Sequence, residues 1–134
     1  MRYRFLAAVC VAALSLLGGS AIGHGLPIIP THVLSGFTAA TNGPNEFVMS
    51  SSGPLQSRVA KCEAGRTVKL YFKKGDVRTL ADVDTSSRNG QWGVAGRSTS
   101  EPDAFIVQVT RKQITFHHRE RVCGADRIVR PLVA

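Results

Sequence analysis

Acidic residues are scarce: 9 Asp and Glu stand against 17 Lys and Arg, a formal net charge of +8 over 134 residues. A surface of that sign favours anionic partners, among them nucleic acid, teichoic or uronic polymers and phospholipid head groups. It serves equally well to keep a small domain soluble. Sustained helical periodicity is absent beyond the first 23 residues, which argues against a helical or α/β architecture. Catalytic signatures are missing too. There is no nucleophile elbow, no Cys-His arrangement with a free thiol, no phosphate loop and no zinc-protease helix, so no enzymatic activity is expected. Long apolar runs are limited to one of about 13 residues, short of the roughly 20 that a membrane span needs.

That run, Phe5 to Leu17, follows Arg2 and Arg4 and precedes the small residues Gly18, Gly19, Ser20, Ala21 and Gly23. The order is that of a secretory signal peptide, so residues 1–23 are expected to form a signal helix that is removed after Ala21 or Gly23. An uncleaved anchor is the alternative. Cys10 lies within the run, too near the start to carry a lipid anchor. The remainder keeps a charge of about +6. It also keeps two cysteines, Cys62 and Cys123. An even pair in an exported chain implies one disulfide, closing a loop of about 60 residues and contributing roughly 4 kcal/mol on a chain-entropy account.

Residues 24–45 are rich in Gly, Pro, Ser, Thr and Ala and read as a flexible arm, with at most a short edge strand over 33–38. The domain proper is expected over 46–134. Strands are expected over 46–51 and 55–61, separated by a turn at Ser52-Gly53-Pro54. Residues 66–73 follow, with Val68, Leu70 and Phe72 alternating against polar neighbours. Lys74-Gly75-Asp76 turns this strand into 77–85, where Val77, Thr79, Ala81 and Val83 should share one face. Asp82 and Asp84 then fall on the exposed face, where they could pair with Lys69 or Lys73. Asn89-Gly90 is a strong hairpin signal leading to 91–94, with Trp92 and Val94 inward. Phe105, Val107 and Val109 mark the next strand, which 114–116 should continue past a bulge. A basic loop over 117–121 and a last strand over 126–133, an edge by virtue of Pro131, complete the chain. The whole is expected to be all-β: one antiparallel β-sandwich of about seven strands, immunoglobulin- or transthyretin-like.

Three motifs carry a resemblance: Val59-x-x-Cys62-x-x-x-Arg66-x-Val68-x-Leu70-Tyr71, Thr85-x-x-x-Asn89-Gly90-x-Trp92-x-Val94, and Cys123-x-x-x-Arg127-x-Val129. Together they resemble small secreted bacterial proteins with a carboxypeptidase regulatory-like fold, akin to transthyretin-like and Cna B-type modules. The resemblance covers roughly residues 47–133. It implies a sandwich in which Thr85, Gly90 and Trp92 organise a strand-to-strand turn, and it implies little about function. Ser86-Ser87-Arg88 makes this turn longer than the family's.

Candidate contact residues are Arg111, Lys112, His117, His118, Arg119 and Arg121, with Phe116 among them. They could hold a polyanion. A strand edge guarded by charge against aggregation has the same appearance. His117 and His118 are adjacent, so on a strand they point apart, and no metal or other cofactor is expected. Lys69, opposite the valines, leaves no isopeptide triad in view. The expected role is a secreted, non-catalytic binding or structural module at the cell envelope or outside the cell. Its partner would be a protein or an envelope polymer, carbohydrate included. A monomer is expected, without membrane insertion and without nucleic acid as a partner. The alternatives are an inhibitor of an exported enzyme, acting through residues 96–103 and 117–121, and a polyanion binder acting through the basic surface.

Overall fold

A computed structural model describes residues 25–41 and 44–132. The expected signal peptide with Cys10 and both expected cleavage positions, His24, and the end of the last expected strand at Val133 lie outside the described residues. Strands make up the body: β1 (Ile28–Ile29), β2 (His32–Val33), β3 (Gly36–Thr41), β4 (Phe47–Gln56), β5 (Thr67–Lys74), β6 (Val77–Thr85), β7 (Gln91–Ser98), β8 (Ala104–Val109), β9 (Lys112–Phe116), β10 (Arg119–Cys123) and β11 (Asp126–Pro131). A 3-10 turn, Ala60–Cys62, precedes β5.

The molecule is all-β and its sheets pack together as a sandwich. One layer has β4 at its centre, flanked by β7 on one side and by β2 and β3 on the other. The second layer runs β11-β8-β5-β6, antiparallel throughout. Met49, Leu55, Trp92 and Val94 from the first layer meet Val68, Leu70, Phe72, Phe105, Val107 and Val109 from the second. This is the face that strict alternation along β5, β7 and β8 predicts. Phe72 and Phe105 are cross-strand partners, in edge contact with ring centroids 5.2 Å apart. A third, small sheet β1-β10-β9 covers a satellite core of Ile29, Val59, Ile114 and the two cysteines. Cys62 and Cys123 are joined, with their Cα atoms 5.3 Å apart and both residues fully buried.

Several expectations are corrected. The stretch read as an arm carries three strands from Ile28 onward, and Ile28–Ile29 pairs with Val122–Cys123 in parallel. Gly53-Pro54 does not end a strand, because β4 runs through it. Pro54 lacks a donor on the side facing Leu34, and it is the partner strand that breaks there, into β2 and β3. The backbone of residues 55–61 leaves the sheet after Gln56 and enters the 3-10 turn. Residues 112–116 do not continue β8. They pair with β10, and the expected basic loop is a tight turn at His117-His118 followed by that strand.

The most consequential difference lies in β6. Its register against β5 shifts between Leu70 and Tyr71, so that Ala81 is an extra residue. Before this bulge Thr79 lies opposite Phe72, as alternation predicts. Leu80, opposite Tyr71, also faces outward as alternation predicts; after the bulge Asp82 and Asp84 lie opposite Leu70 and Val68 on the inward face, while Val83 lies opposite Lys69 on the outward face. One inserted residue inverts a period of two. Asn89-Gly90 likewise does not join two ladder partners, since β7 pairs with β4 and not with β6. Gly90 does take a positive φ of 79°, as a turn here requires.

Candidate anion-binding surfaces

Three aspartates join the two layers along their seams. Asp84 accepts a hydrogen bond from the Gly93 amide at 2.8 Å, and Asp82 accepts one from the Ala95 amide at 2.9 Å. Both carboxylates thus satisfy the open edge of β7, a function normally performed by a neighbouring strand. Bulged Ala81 lies against Gly96 so closely that a Cβ at Gly96 would come within 2.8 Å of its own. At the opposite seam Asp126 accepts from the Val33 amide at 2.9 Å, and the Arg130 guanidinium stands over the Phe37 ring.

Other carboxylates are similarly engaged. Glu63 accepts from the Ser57 amide, and Glu120 accepts from Gln113 and Thr115 across the β9–β10 hairpin. These two bonds hold the Glu120 carboxyl below its ordinary pKa, Gln113 having the larger effect. Asp103 accepts from the Gly75 amide, which with nearby Lys74 and Lys73 likewise holds its carboxyl low. Among the described residues only two ion pairs form, Lys74–Asp103 and Arg97–Glu46, both exposed. Acids scarce in number are therefore mostly bonded to amides, and most of the surface cations are left without a carboxylate partner.

The basic residues named from sequence are only partly brought together. His117 and His118 occupy the tip of the β9–β10 hairpin with φ of 51° and 62°, the two left-handed positions of a tight turn. Arg119 beside them is exposed, and Arg111, also exposed, lies at the far end of β9 from this tip. Lys112 is not available in the same way, since its ammonium donates to the Ala64 carbonyl. Arg121 leans inward and donates to the Glu120 carbonyl. It borders a 390 Å³ hollow with Phe116, His117 and Arg58, the last a residue that the sequence did not single out. His32 is exposed at the rim of a neighbouring hollow. No three His, Cys, Asp or Glu side chains approach one another closely enough for a metal among the described residues.

A second basic surface, not foreseen, is the outward face of the β11-β8-β5-β6 sheet. Register places three rows across it. The first is Arg127, Gln108, Lys69 and Val83. The second, apolar throughout, is Val129, Ile106, Tyr71 and Leu80. The third is Pro131, Ala104, Lys73 and Arg78. Adjacent rows are about 7 Å apart along the strands. None of the twelve positions is an acid. Alternation alone would have placed Asp82 and Asp84 beside these lysines, and only the bulge removes them. The signal was therefore hidden in β6, where an Ala-Asp-Val-Asp run gives no sequence indication of an inserted residue.

Arg66 belongs to neither surface. It is completely buried and donates to Thr31 Oγ1 and to the carbonyls of Cys62, Thr110 and Gly124. Desolvation lowers its pKa from the ordinary arginine value. Comparison with known proteins finds no matching family model, no matching curated protein and no matching solved structure. Among the described residues no helix is long and apolar enough to cross a membrane.

Proposed function

We propose that this chain is an exported, non-catalytic β-sandwich module that works at the cell envelope by holding an anionic partner. The carrying observation is the division of charge: Asp82, Asp84, Asp126 and Glu63 accept from backbone amides, while Lys69, Lys73, Arg78, Arg127 and the hairpin arginines have no carboxylate partner. Such a surface attracts anions and repels other cations. Export is the reading that suits a fully buried disulfide, since such bonds persist in oxidising compartments. Under this reading residues 1–23 are the leader. The sandwich also accords with a carboxypeptidase regulatory-like module, a fold that serves many ends.

The test is retention of the processed, disulfide-bonded protein on isolated envelope material. Retention that falls steeply between about 50 and about 200 mM salt is expected, because counterion release governs such contacts. Capture of one stoichiometric enzyme, insensitive to salt, would replace this reading with that of an inhibitor. Turnover of any substrate would overturn it.

A further inference from the structure

We infer that the outward face of the β11-β8-β5-β6 sheet docks on an anionic lipid surface. This rests on the envelope-module reading and specifies its partner. Four cations stand on this face: Lys69, Lys73, Arg78 and Arg127. Among the described residues no carboxylate shares the face with them. Near a negatively charged bilayer each such cation strengthens binding by about fivefold at moderate salt.

Charge alone would suit any polyanion, and the aliphatic side chains that stand among the cations decide between them. Leu80, Val83 and Val129 are each about half exposed on this face, at 49%, 47% and 47%. A sugar or phosphate chain, hydroxylated or charged along its length, buries little of three separate aliphatic side chains. The boundary between head groups and acyl chains does, because it removes apolar surface from water while leaving the cations at the phosphates. Tyr71 lies at the centre of the face, half-buried, with an apolar ring and a polar tip, the side-chain type favoured at such boundaries. Ile106 beside it is closed off from solvent and gives the row a firm floor. The face belongs to a sheet braced from behind by the main core, so it presents these groups without rearrangement. The basic hairpin at His117-His118 has no comparable aliphatic row and lies in another sheet.

The experiment is sedimentation of the processed, disulfide-bonded protein with vesicles of phosphatidylcholine, with and without about a third phosphatidylglycerol. Binding to the anionic vesicles alone is expected. The triple variant Lys69→Gln, Lys73→Gln, Arg127→Gln is expected to bind about 100-fold more weakly. Leu80→Ser with Val129→Ser is expected to lose about tenfold. Arg88→Gln, at an exposed cation of the 86–90 turn that belongs to neither basic surface, is expected to bind as the parent does. All these positions are on the surface, and thermal unfolding checks each variant. Should a multiple variant unfold, the single changes Arg78→Gln and Val83→Ser are each expected to weaken binding several-fold. If the serine variants bind like the parent, or a soluble polyanion such as heparin competes without loss in them, the face is a charge patch and the lipid inference falls while the envelope module stands. Retention on envelope material without vesicle binding has the same meaning. Retention on neither removes both.

Discussion

Arg66 shows how much one side chain can organise. Its guanidinium ties together the carbonyl of Cys62 and that of Gly124, the residue after Cys123, so the two chain segments carrying the disulfide converge on one cation. No carboxylate compensates it; neutral acceptors in fork geometry do. Replacing it by lysine keeps the charge but loses the fork, leaving buried carbonyls unpaired. Arg66→Lys is expected to destabilise by about 3 kcal/mol, measured as a fall in the urea midpoint at unchanged slope. Glu120 gives a milder effect with a defined sign. Its pKa in the folded state lies below that of the unfolded chain, so its contribution is fully present above the ordinary glutamate value near 4.3 and is lost as pH falls through the lower, folded value. Melting temperature followed through that acid range should therefore drop less in Glu120→Gln than in the parent, because the variant has no proton to take up there.

At the scale of elements, the seams and the bulge belong together. β6 and β7 exchange no ladder hydrogen bonds, and the carboxylates of Asp82 and Asp84 take the place of a ladder. Removing both, as Asp82→Ala with Asp84→Ala, leaves the Gly93 and Ala95 amides without these acceptors at a part-exposed edge. A loss of about 2 kcal/mol is expected, with amide exchange at Gly93 and Ala95 faster than in the parent while the β7 amides that do not donate to Asp82 or Asp84 change little. An unchanged exchange pattern would mean that the seam is held by Ala81 against Gly96 alone. The same bulge that turns the aspartates inward leaves Lys69 and Lys73 unneutralised outside. Edge protection and a basic outer face thus have a single structural origin.

For the whole molecule, the disulfide lies within the satellite core and joins chain segments 61 residues apart. A loop of that length constrains the unfolded chain by about 4 kcal/mol, a large share of the stability of a domain this size. Cys62→Ser with Cys123→Ser is expected to lower stability by about that amount, read by denaturant unfolding. The β1-β10-β9 sheet should open before the main sandwich. Simultaneous loss of both would show that the two cores form one cooperative unit.

Much of this architecture could be read directly from the chain. The alternation in β5 and β8, the burial of Trp92, the positive φ at Gly90 and the cysteine pairing all follow from local pattern, because each depends on a period of two, a turn geometry or a count of sulfurs. What local pattern could not supply was the choice of partners. Ile28–Ile29 is too short to announce itself as a strand and exists only because β10 offers an edge. Gly53-Pro54 resembles a turn until Leu34 is placed beside it. Asp82 and Asp84 resemble exposed acids until a bulge, whose position depends on how β5 and β7 approach β6, reverses their direction. Sequence alone determined the alternating strands β5 and β8, the sign of the charge and the pairing of the two cysteines. Tertiary structure alone decided where the charge goes unopposed, since that depends on register, and register is a property of two strands and not of one.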